Sequence, residues 1–195
     1  MSKKVDEIIL PFTNHYRFYC IAYKKYFLIS LLLEKRNQIS KKKKKTVADN
    51  DNVYRIQHSI QDNAMIAVIF SALTLEAFIN NYGFEKLPSG YFGNLDKIDF
   101  ISKWLIFPKL VTGRELNTSH YSFGMLKELH SLRNVLVHYK TYCKPAREIT
   151  ERDWVTERNA HRAIETVRAV AKELKKLDNK VDITWVERAR ILSKR

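Results

Sequence analysis

Two cysteines, five glycines and four prolines in 195 residues leave several structural classes without material. Cys20 and Cys143 are too few for a disulfide framework and stand in no CxxC or CxxH pairing, so a reducing cytoplasm is the expected compartment. So little glycine and proline cannot supply the tight turns of a strand-rich chain, which points to long helices. The apolar run over residues 26–33 is much shorter than a membrane span, and the chain begins with charge, so neither a signal peptide nor a membrane helix is expected. Acidic residues are also scarce: 21 Asp and Glu against 35 Lys and Arg give a net charge of +14, which draws polyanions over long range without specifying a sequence. Gly-rich phosphate loops, His-Glu-x-x-His and paired-carboxylate spacings are missing too.

What is present reads as one all-α domain over residues 1–195, a bundle of about five or six helices. The first helix is expected over residues 11–37, with Phe18, Ile21, Ala22, Phe27, Leu31 and Leu32 inward. Residues 40–52 follow as a solvated, mobile loop, because Lys41, Lys42, Lys43, Lys44 and Lys45 repel one another and Asp49-Asn50-Asp51-Asn52 favours turns. The same lysines are a weak candidate for gripping RNA. A second helix over residues 53–82 turns apolar nearly all round, which marks a central helix, and Gly83 is placed as its C-cap. Glu76 and Asn80 share one face of that helix, and a carboxylate there requires a cation or donor.

After a loop, a third helix is predicted over residues 95–107, with Trp104 in the core and Pro108 ending or kinking it. A fourth, over residues 121–142, has Met125, Leu129, Leu132, Leu136 and Tyr139 on its core stripe. His130, Asn134 and His138 recur at four-residue intervals on the opposite side, with Arg133 well round the axis. Leu126 and Val137, near Arg133, supply apolar surface for a contact between two copies of the chain. A fifth helix over residues 151–177 turns Trp154, Ala160, Ile164, Val167, Val170, Ala171 and Leu174 inward, and a basic helix or tail occupies residues 181–195.

Three stretches carry a family resemblance. Ser71-Ala72-Leu73-Thr74-Leu75-Glu76-Ala77-Phe78-Ile79-Asn80-Asn81, the segment from Leu95 to Gly113 with its Lys103-Trp104 and Pro108-Lys109-Leu110, and Leu132-Arg133-Asn134-Val135-Leu136-Val137-His138-Tyr139 together resemble the HEPN superfamily, small helical domains that often act as ribonucleases. The match is best over residues 53–142. One branch of the family has a tyrosine two positions after the motif histidine; here Tyr139 follows immediately, so modification of that tyrosine does not carry over.

The resemblance implies a homodimer whose two Arg-Asn-x-x-x-His helices face one cleft and cut RNA without metal or cofactor. Arg133, Asn134 and His138 are then the catalytic candidates, with Glu76, Asn80 and His130 supporting and Lys127 a weak RNA contact. The residue types suit the reaction: a histidine titrates near neutral pH and serves as base or acid, and an arginine binds phosphate and stabilises charge on its oxygens. Glu76 is expected to be buried and to orient Arg133. The implied roles are a toxin or antiviral effector, with a protein or nucleotidyltransferase-type antitoxin as possible partner and no membrane association. The alternative is an inactive HEPN module that binds RNA or a protein through the same surface. His58, His120 and His161 read as surface or loop residues, and Tyr121, Tyr139 and Tyr142 as packing aromatics rather than base platforms.

Overall fold

The computed structural model describes residues 14–137 and 155–192, and the described residues form seven helices and no strand. Long helices α1 (Asn14–Ser40) and α2 (Val47–Lys86) are joined by residues 41–46, a connection short enough to make them antiparallel neighbours. The rest are α3 (Ser89–Leu95), α4 (Phe100–Thr112), α5 (Tyr121–Val137), α6 (Glu157–Leu177) and α7 (Thr184–Leu192). Helix α2 packs against α1, α3, α4, α5 and α6, which is the central position its all-round apolarity predicts. Its Ile60, Ala64, Ala67, Val68, Leu75 and Ile79 are fully buried. By length and composition α2 could also cross a membrane, but half of its most apolar window is buried inside the fold, as in a core helix.

Several expected boundaries move. The loop predicted over residues 40–52 shrinks to 41–46, because Asp49-Asn50-Asp51-Asn52 belongs to α2. Thr46 caps that helix: its hydroxyl accepts from the Asp49 amide at 3.1 Å, and the Asp49 carboxylate accepts from the Thr46 amide at 3.1 Å. A reciprocal pair of this kind satisfies amides that would otherwise have no partner at the helix start. Gly83 is not the C-cap. The helix continues to Lys86, and Leu87 closes it by donating its amide to the Gly83 carbonyl. A short helix, α3, fills part of the predicted loop, and α4 runs through Pro108 to end at Gly113 in the left-handed conformation.

Leu31, expected inward, is 46% exposed; His15, Tyr19, Tyr23 and Ile29 carry the buried face of α1. On α6 the inward positions expected within the described residues, Ala160 to Leu174, are all buried. The last helix packs too: Trp185, Val186 and Ala189 are core residues, as is Val181 just before it. Trp185 meets Phe78, Tyr19 and His15 with ring centroids 5.0 to 5.4 Å apart, tying α7 to α1 and α2. Tyr121, expected to pack, is instead 66% exposed.

Candidate functional site

The polar side of α5 meets α2 and α4 at one junction. Arg133 lies off the line of His130 and Asn134 on the helix, yet its side chain reaches across, and Nη1 donates to Asn134 Oδ1 at 3.0 Å. Asn134 Nδ2 in turn stands 3.3 Å from His130 Nε2. The His130 ring is stacked on Phe100 of α4, with centroids 5.0 Å apart and planes 28° from parallel. A chain of three polar side chains is thus held at one end by an aromatic face. At its other end, Arg133 Nη2 lies 3.9 Å from Glu76 Oε2. Glu76 was expected to be buried; its side chain is 43% exposed and that of Arg133 is 24% exposed. Water therefore screens the pair, which orients the guanidinium more than it stabilises the fold.

Asn80 sits one turn beyond Glu76 on α2 and does not join Arg133. Its Oδ1 accepts a hydrogen bond from Lys103 Nζ of α4 at 2.9 Å. The sequence assigns no role to Lys103, which enters only within the family resemblance, or to Phe100, since lysine is rarely buried and Phe100 reads as one more apolar helix residue. The spacing i, i+3 between them, on a helix next to the Glu76-Asn80 pair, was the only available signal.

The candidate residues do not all converge. His138 lies outside the described residues, as do Tyr139, Tyr142, Cys143 and Trp154. Lys127 is exposed on α5 two turns before Asn134, on the same face by helical geometry. The lysines Lys41 to Lys45 are exposed but remote: they precede α2, and Glu76 lies about 40 Å along that helix at 1.5 Å per residue. Lys42 is moreover engaged locally, its ammonium 2.7 Å from Asp49. That bond, with the Thr46 amide, holds the Asp49 carboxyl down to about 2. Leu126 cannot serve a contact between copies, being 1% exposed in the core; Val135 and Val137 are the exposed apolar residues of the α5 end, at 59% and 48%.

Elsewhere, His120 Nδ1 bonds Ser122 Oγ at 2.8 Å, and His58 and His161 are exposed. A cavity of about 300 Å³ opens between α5, α6 and α7, lined in part by Tyr121, Arg168 and Lys172, and shares no residue with the Arg133 chain. Its Arg168 is already bonded to Glu165 at 2.5 Å. Among the described residues no group of three or more His, Cys, Asp or Glu is placed to hold a metal ion.

No protein-family profile, curated protein or solved structure matches the chain.

Proposed function

We propose that this chain is a HEPN-type endoribonuclease that cuts RNA by attack of the substrate's own 2′-hydroxyl. The observation that carries the reading is the junction Glu76–Arg133–Asn134–His130: an arginine with its fork oriented from two sides, on the helix that leads into His138. A guanidinium so oriented suits the two non-bridging oxygens of a phosphodiester. In the proposed reaction His138 takes the proton from the 2′-hydroxyl, and the 2′-oxygen bonds to phosphorus. The bond from phosphorus to the 5′-oxygen then breaks, and an imidazolium supplies the proton that oxygen needs. Arg133 stabilises the extra negative charge on the phosphoryl oxygens. The products are a 2′,3′-cyclic phosphate and a 5′-hydroxyl. The net charge of +14 supports capture of a polyanion. A homodimer, placing two motif helices in one cleft, belongs to this reading, as do a cytoplasmic setting and control by a protein antitoxin.

The test is incubation of the purified chain with total RNA in EDTA, followed by analysis of the cleaved ends. Cyclic phosphate ends that vanish in His138→Ala, with fold retained, are the expected result. Intact RNA across varied substrates overturns the reading and leaves the binding-module alternative. Sedimentation at micromolar concentration tests the dimer, and a monomer removes the shared cleft.

A further inference from the structure

Three residues of α2 form one line, Glu76, Asn80 and Gly83, at spacings of four and three. Each meets a different side chain across the junction: Glu76 faces Arg133 of α5, Asn80 holds the ammonium of Lys103, and Gly83 lies under the ring of Phe107 of α4. Phe100, Lys103 and Phe107 in turn share a face of α4. Lys103 therefore stands between the contact of Phe107 with α2 and the stack of Phe100 on His130. It is 7% exposed, and among the described residues its ammonium makes one hydrogen bond, to the neutral Asn80, and pairs with no carboxylate. Burying an ammonium with one neutral partner is costly, and an anion brought to it offsets that cost. The α2 residues that meet the two cations, Glu76 facing Arg133 and Asn80 facing Lys103, stand one helical turn apart.

From this juxtaposition we infer that Lys103 is a second anion-binding group of the junction, taking a backbone phosphate of single-stranded RNA next to the one held by Arg133. The inference rests on the RNA reading above and deepens it: the substrate spans at least two phosphates where α2, α4 and α5 meet. Asn80 is its positioning residue, fixing the ammonium without neutralising it.

The experiment is binding of a 2′-O-methyl oligouridylate, which has no free 2′-hydroxyl and cannot be cut, over a range of salt concentrations. Each phosphate contact on a single strand contributes about 0.7 to the slope of log affinity against log salt. Lys103→Gln keeps a donor for Asn80 and removes the charge, so its slope should fall by about 0.7 and Lys103→Arg should restore it. A slope unchanged in folded Lys103→Gln overturns the inference. Should both variants fail to fold, the ¹⁵Nζ resonance of Lys103 in the unaltered chain decides: it moves on adding the oligonucleotide, or the inference fails. Cleavage by the unaltered chain is scored separately. An active enzyme with an unchanged slope loses Lys103 alone, whereas an inactive chain with a reduced slope loses the nuclease reading alone.

Discussion

The imidazole of His130 lies nearly parallel over Phe100 while its Nε2 stands 3.3 Å from the Asn134 amide, so α4 fixes a ring that α5 supplies. The relationship matters because Asn134 is also the acceptor for Arg133. Disturbing the stack should therefore reach the guanidinium through two hydrogen bonds. A stack of this kind contributes about 0.5–1.5 kcal/mol beyond its buried area. Phe100→Leu, which keeps apolar volume, should lower kcat for RNA cleavage by about three- to tenfold while lowering the melting temperature by only about 2–6 °C. Unchanged kcat in a folded Phe100→Leu would show that the ring serves packing only.

Glu76 and Arg133 separate charge from geometry. Their ion pair is 3.9 Å long with both side chains partly in water, so Glu76→Gln should change the unfolding free energy by less than about 1 kcal/mol. Arg133→Ala should cost about 10²- to 10³-fold in cleavage, the scale for removing one donor to a developing oxyanion. Arg133→Lys keeps the charge and loses the fork, so it should recover little of that activity. Full recovery by lysine would mean that a point charge suffices and that the ion pair with Glu76 and the bond to Asn134 are incidental. Single-turnover cleavage and urea titration measure the two effects independently.

Local patterning made most helices legible. The inward positions expected from Ala160 to Leu174 are buried because an amphipathic helix of α6's length declares its face through period alone. The start of α2 was misread because Asp49-Asn50-Asp51-Asn52 favours turns locally, whereas Thr46 and Asp49, three apart, form a capping box with aspartate in place of the usual glutamate. On α5, Leu126 and Leu129 lie in the core, whereas Met125, Leu132 and Leu136 are only partly buried. A helix with two apolar sectors does not say which one faces inward. The approach of Glu76 to Arg133 followed from the need of each for a partner, but Lys103 and Phe100 depend on how three helices meet, and single-helix geometry carries no such information.

Gly83 tests why α2 passes through a glycine. A Cβ there would stand 2.5 Å from two ring carbons of Phe107, a side chain with no exposed surface. Replacing glycine by alanine inside a helix normally gains about 1 kcal/mol. Overpacking a core that cannot relax costs about 1–3 kcal/mol. The clash is with a fully buried ring, so the second effect should win: Gly83→Ala should destabilise by about 1–2 kcal/mol by urea unfolding. Adding Phe107→Leu should recover part of the loss. A stabilised single variant would mean that the ring gives way freely and that α2 and α4 are not tightly seated.

His15 predicts how stability changes with acid. It is 6% exposed, packed on Phe78 and Trp185, and burial lowers its pKa from 6.5 to about 4, against the opposing influence of Glu85 and Asp182. Between those two values the unfolded chain binds a proton that the folded chain does not, so stability must fall as the pH falls. The contribution is fully present above pH 6.5 and is lost as the pH drops toward 4, amounting to about 3 kcal/mol at most. Asp49 behaves likewise in a lower window: its carboxyl is held at about 2 against an ordinary 3.8, so its share disappears only below pH 4. His15→Phe should therefore flatten the unfolding free energy between pH 6.5 and 4.5 while leaving the steeper loss below pH 4. Because Trp185 rests on the same ring, its fluorescence should report release of α7 as the pH falls through about 4, where the buried imidazole takes its proton, in the unaltered chain and not in the variant. Identical pH profiles for the two proteins would remove His15 as the group responsible.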